Sequence, residues 1–223
     1  MSWKIENTVL DCPYIDDILC ALTKVTSDYI IYPCFESNKK KRNKKAENGE
    51  ENNQKYRYPE RVFAYEFYHQ YRRIMECKKE KYAKLFLNGE QPKSSRVWEG
   101  LSAITPDIVL HGKNKEADYT GKTQKWLCEI KMNGNPKMIE DLKKIKEKEK
   151  ILKFNDNIFI CIGCDLNHFK TLIDEANLKK EDIDERTICI FALYSDKDIE
   201  ISCKRLSEIM FQDTINDSSV SSE

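Results

Sequence analysis

The sequence predicts an α/β domain with a mixed central sheet flanked by helices and an additional helix at the N-terminal end. Three observations lead there. Apolar residues recur at helical spacing near residues 60–82 and 137–153. Residues 158–162 and 187–193 are short, continuous apolar runs of the kind that central strands buried on both faces require. Between the two helical stretches, Gln124–Met132 places Trp126, Cys128 and Ile130 on one face of a strand and Leu127, Glu129 and Lys131 on the other.

A chain of 223 residues suits one core with decorations, since roughly 100 to 200 residues usually make a domain. Residues 1–35 read as a helical extension, 36–57 as a charged, low-complexity linker, 58–211 as the domain and 212–223 as a disordered tail. The 38 basic and 38 acidic residues cancel, which removes the simplest electrostatic case for a nucleic-acid partner without excluding a local basic surface. Nine scattered cysteines, mostly in apolar stretches, suit reduced thiols. No apolar run approaches the roughly 18 residues of a membrane span, and Met1-Ser2-Trp3-Lys4 opens no signal peptide, so the expected place is the cytoplasm.

Taken in order, Ile15, Ile18, Leu19, Leu22, Val25, Tyr29 and Ile30 predict a helix over 14–32. From Glu36 to Tyr56 there is almost nothing to bury, and the lysines of 39–45 read as a solvated charge run more readily than as a phosphate-contacting arm. Pro59 stands near a helix start, and Phe63, Ala64, Phe67, Tyr71 and Ile74 form a buried stripe in a helix reaching about Tyr82. Glu60 falls in the middle of that stripe, whereas Glu66 lies to one side with Val62, His69 and Arg73. Strands are expected at 96–103, 105–111, 124–132, 157–162 and 187–193, with helices at 137–153 and 166–177.

Asp107 begins one predicted strand, and Glu129 with Lys131 sits near the end of the next, so an antiparallel pairing brings them together. At i and i+2, Glu129 and Lys131 present a carboxylate and an ammonium side by side, an arrangement costly to bury without a purpose. A hard divalent cation gives the acids one, because Mg²⁺ takes oxygen ligands, usually one or two carboxylates with water and substrate phosphate.

Pro106-Asp107, a gap, and Glu129-Ile130-Lys131 resemble the motif of the PD-(D/E)XK nuclease superfamily, over residues 58–194. The predicted order of elements agrees with that family's restriction-endonuclease-like αβββαβ core. The resemblance implies a nuclease that hydrolyses phosphodiester bonds, of DNA more readily than RNA, in restriction, repair or defence, with Mg²⁺ or Mn²⁺ as cofactor. Asp107, Glu129 and the Ile130 carbonyl would be metal ligands, and Lys131 would orient or deprotonate the attacking water. Glu60 would be the helix glutamate near the metal, with Glu66 as the alternative, and a homodimer or a partner protein is compatible. Lys143 or Lys144 could contact phosphate.

Blander readings stand beside this one. Glu129 and Lys131 could be a surface ion pair stabilising by less than about 1 kcal/mol. Cys161-Ile162-Gly163-Cys164 has no second pair to complete a zinc shell, and buried thiols explain it better. His111 follows Asp107 by four residues and shares its strand face, which alone gives it little claim to the site. The alternative function is a catalytically inactive protein of the same fold that binds nucleic acid or another protein. Metal-free acid catalysis by paired carboxylates, as in glycosidases, fits less naturally with a lysine so close.

Overall fold

A computed structural model describes residues 2–7, 10–26, 29–30, 32–33, 56–57, 60–89, 106–112, 123–195 and 198–211. Its centre is a mixed sheet of seven strands flanked by helices. In chain order the strands are β1 (Ser2–Asn7), β2 (Tyr32–Pro33), β3 (Tyr56–Arg57), β4 (Leu85–Gly89), β5 (Ile108–Gly112), β6 (Gln124–Met132), β7 (Asp156–Ile162), β8 (Thr187–Tyr194) and β9 (Asp198–Arg205). The helices are α1 (Ile15–Leu22), α2 (Glu60–Cys77), α3 (Lys137–Leu152), α4 (Leu166–Glu175) and α5 (Leu206–Phe211). The large sheet runs β1-β9-β8-β7-β6-β5-β4, and β2 with β3 forms a separate antiparallel pair.

Strands β4, β5 and β6 form an antiparallel meander, while β6, β7 and β8 are mutually parallel. Parallel neighbours need crossover connections, and α3 and α4 supply them. The sheet therefore separates two cores. On one face Phe63, Phe67, Tyr71 and Ile74 of α2 pack with α1 against Trp126, Cys128 and Ile130. On the other, Met138, Leu142 and Ile145 of α3 join Phe169 of α4 and Leu206 of α5 over Leu127, Phe159 and Phe191. β7 is buried along its whole length and β8 along most of it, which is why both read as unbroken apolar runs.

Several elements differ from the sequence expectation. The helix expected over 14–32 is only Ile15–Leu22, and Val25 and Ile30 are buried without extending it. α2 ends at Cys77 rather than near Tyr82, because the chain turns through residues 78–84, with Lys84 at φ 82°, to start β4. The strand expected at 96–103 lies outside the described residues, and the meander opens instead with β4, a strand the sequence reading lacked. β1 and β9 were also unanticipated, and they pair in parallel at the sheet's far edge, so the N-terminal segment is not purely helical. The expected linker at 36–57, apart from β3, and the tail at 212–223 lie outside the described residues. Among the described residues, no helix is long and apolar enough to cross a membrane.

Candidate active site

The site forms where β5 begins and β6 approaches its end. The antiparallel ladder pairs Ile108 with Cys128. Two residues before Ile108 stands Pro106, which has no N–H to donate to the ladder. Opposite, the Ile130 N–H donates to Asp107 Oδ2 at 2.7 Å. The Pro-Asp pair thus ends the strand and ties its carboxylate to the main chain between Glu129 and Lys131.

Glu129 and Lys131 point toward the α3 side of the sheet, where Glu129 is buried and Lys131 nearly so. Lys131 Nζ lies 3.0 Å from Glu129 Oε1, 3.2 Å from Asp141 Oδ2 and 3.5 Å from Glu60 Oε1. Glu60 arrives from the first turn of α2 and Asp141 from the second turn of α3, so side chains from both helical layers meet at one strand end. Asp141 also accepts from Lys144 Nζ at 2.6 Å.

This concentration of acid sets the electrostatics. Burial first, and the Glu129 carboxylate second, push the Asp107 carboxyl up to about 7, against the Ile130 N–H and the Lys131 charge. Burial alone would lower the pKa of the Lys131 ammonium, but the charges of Glu129 and Glu60 outweigh it and raise it above the usual lysine value. Burial also raises Glu60, with Lys131 opposing. At Asp141 the burial cost is overcome by the Lys144 hydrogen bond and the Lys131 charge, which hold that carboxyl below its ordinary value.

The donor set is all oxygen, and four carboxylates face the charges of Lys131 and Lys144. That chemistry fits a hard divalent cation. Among the described residues no three His, Cys, Asp or Glu side chains form a metal-holding group. A cation here would rest on Asp107, Glu129 and main-chain oxygen, completed by water and substrate, which is the sparse protein shell that Mg²⁺ accepts.

Other expected residues lie elsewhere or are otherwise engaged. Glu66 accepts from Gln70 Nε2 at 2.6 Å within its own helix. Lys143 faces Asp182 at 3.9 Å, and Lys144 reaches the site only through Asp141. His111 sits at the opposite end of β5 from Asp107, beyond a register shift, hydrogen-bonded to Asn88 and beside Phe86. Cys161 and Cys164 are buried free thiols, and burial pushes the Cys164 thiol up to about 11. The lysines of 39–45 lie outside the described residues. Asp141 is the residue that sequence reasoning missed: it lies at the edge of the Met138, Leu142 and Ile145 stripe rather than at its centre, so the angular test that marked Glu60 does not single it out.

Next to the carboxylates, α2 and the ends of β4 and β5 enclose a cleft of about 270 Å³ lined by Glu60, Arg61, Tyr65, Tyr68, Gly89 and Asp107, among others. Comparisons with protein-family models, with curated proteins and with solved structures find no match to this chain.

Proposed function

We propose that this chain is a metal-dependent nuclease of the PD-(D/E)XK type, hydrolysing phosphodiester bonds of DNA in restriction, repair or defence. The observation that carries the reading is the meeting of Asp107, Glu129 and Glu60 around Lys131 at adjoining ends of two antiparallel strands. The succession α2, β4, β5, β6, α3, β7, with β7 parallel to β6, supports a restriction-endonuclease-like αβββαβ core. Free thiols throughout the described residues suit a cytoplasmic setting.

On this reading Asp107, Glu129 and the Ile130 carbonyl would hold a Mg²⁺ or Mn²⁺ ion. When bound, such an ion neutralises charge on the scissile phosphate and lowers the pKa of the attacking water. Asp107 keeps one oxygen on the Ile130 N–H, which fixes the carboxylate's orientation and leaves the other oxygen to the site. Lys131 stays protonated beside its carboxylates, so its part is to orient water and stabilise negative charge developing on the phosphate, not to take a proton. Glu60 enters from the cleft side and bears on the same lysine.

The test is cleavage of supercoiled, linear and single-stranded DNA with Mg²⁺, Mn²⁺ or EDTA, using the wild type, Asp107→Asn and Lys131→Met. The expected result is cleavage that requires the metal and falls by about 100-fold or more in each variant. A folded wild type that cleaves none of these substrates sinks the reading. That outcome favours the inactive interaction module, which the saturation of Lys131 by the chain's own carboxylates would also suit.

A further inference from the structure

Beside its buried stripe α2 carries a second one. Arg61, Tyr65, Tyr68, Arg72 and Glu76 follow helical spacing along one flank, and Lys79 continues the line in the turn beyond. Arg61, Tyr65 and Tyr68 line the cleft that contains Asp107 and Glu60. Tyr68, Arg72, Glu76 and Lys79 line a second hollow of about 480 Å³ against Phe86 and Asn88 of β4. The two hollows adjoin at Tyr68 and, taken together as a groove along α2, have Asp107 and Glu60 at one end.

The chemistry of this groove is uneven. Tyr65 and Phe86 are among the exposed large hydrophobic side chains, at 57% and 46%. The Tyr68 hydroxyl donates to the Leu87 carbonyl at 3.0 Å, which anchors the ring between helix and strand. Glu76 and Arg72 pair at 3.8 Å on the exposed surface, a solvent-screened contact that a phosphate would have to replace, and Glu60 pairs with Lys131 in the carboxylate cluster. Two tyrosines, Tyr68 anchored and Tyr65 open to solvent, thus stand between the basic heads of Arg61 and Arg72, a pairing of aromatic face and positive charge that suits the bases and backbone of a polynucleotide.

We infer that the Arg61–Tyr65–Tyr68–Arg72 flank of α2, with β4, is a track for a single unpaired nucleic-acid strand that delivers one of its phosphates to Asp107, Glu129 and Lys131. The inference rests on the nuclease reading and names the substrate class of the same site. An unpaired strand is favoured over a duplex because a base stacked on both faces within a helix has no π-face to offer Tyr65. From Arg61 to Glu76 the helix rises about 22 Å, long enough for a track of several unpaired nucleotides.

The experiment measures binding of short labelled DNA and RNA oligonucleotides, single-stranded and duplex, in EDTA so that cleavage does not intervene, then cleavage of the same set with Mg²⁺. Tyr65→Ala, Tyr65→Trp and Arg72→Ala are compared with the wild type, and Lys180→Ala, far from the groove, controls for loss of a surface charge. The wild type is expected to prefer the unpaired strand, with binding that weakens as salt rises at a log–log slope of about −2 if Arg61, Arg72 and Lys79 all meet phosphates. Tyr65→Ala should weaken it about tenfold or more, while Tyr65→Trp keeps a stacking face and most of the affinity. Arg72→Ala should make the salt slope shallower by about 0.7, and Lys180→Ala should change neither quantity. Preference for RNA over DNA of the same sequence keeps the track and assigns ribose as its sugar. Equal binding of duplex and single strand, with Tyr65→Ala unaltered, overturns it. Metal-dependent cleavage at the wild-type rate by both Tyr65→Ala and Arg72→Ala on every substrate also overturns it, and leaves the nuclease standing. Strand binding that Tyr65→Ala abolishes, in a protein that cleaves nothing, keeps the track and removes the nuclease.

Discussion

At Pro106 and Asp107 two adjacent residues do different jobs at one strand end: the proline has no main-chain N–H to donate to the ladder, and the aspartate carboxylate accepts the Ile130 N–H. The resulting carboxylate is held where its charge is disfavoured, by burial and then by Glu129. Because its folded-state pKa is raised to about 7, from the usual 3.8, this group favours the folded state fully only at acid pH. That contribution is lost as pH rises from about 4 through about 7. Asn keeps an acceptor for the Ile130 N–H but cannot ionise. In EDTA, Asp107→Asn should therefore gain thermal stability relative to the wild type as pH increases from 5 to 8, with little difference at pH 4. Thermal unfolding across that range checks this, and a difference that does not vary with pH would contradict the raised pKa.

Among the elements, the connection from β6 to α3 bears most directly on the site, because it follows Lys131 by two residues. Asn133 and Gly134 both adopt positive φ there, 63° and 45°. A Cβ on Gly134 would lie 2.4 Å from His168 Cδ2 and 2.9 Å from Cys164 Sγ, and the His168 ring is itself tied to the Gly134 carbonyl at 2.8 Å. Gly134→Ala should cost about 1–3 kcal/mol of stability, measured by denaturant unfolding, and on the proposed nuclease reading should lower the cleavage rate with it. α2, α3, β6, β7 and β8 were legible in the sequence because each carries a long periodic or unbroken apolar pattern. β1, β4 and β9 were not. β9 buries only Ile199, Ile201 and Cys203 in alternation, and β4 offers five residues with Leu87 alone well buried, so their strand identity comes from the partner across the ladder. The positions of Glu60, Glu129 and Lys131 could be read from period alone, whereas the Asp107 to Ile130 bond and the entry of Asp141 depend on how the strands and α3 pack.

At the scale of the molecule, the sheet is closed at one side by the chain's first strand lying parallel to β9, from Ser2 beside Asp198 to Asn7 beside Cys203. Removing residues 1–9 would leave β9 as an open edge with alternating isoleucines. That truncation should lower Tm by about 5 °C or more and promote self-association, read by scanning calorimetry and light scattering, and an unchanged Tm would mean the strand adds little to the sheet. The pairing of β1 with β9 also orders events in time. A chain emerging from the ribosome presents β1 before any of its partner has been made, and the intervening loop is nearly the whole protein. The crossover units β6–α3–β7 and β7–α4–β8 can assemble from neighbouring sequence, but β1 finds its ladder partner only after synthesis has passed residue 205, so a strand made well before the crossover units is placed after them.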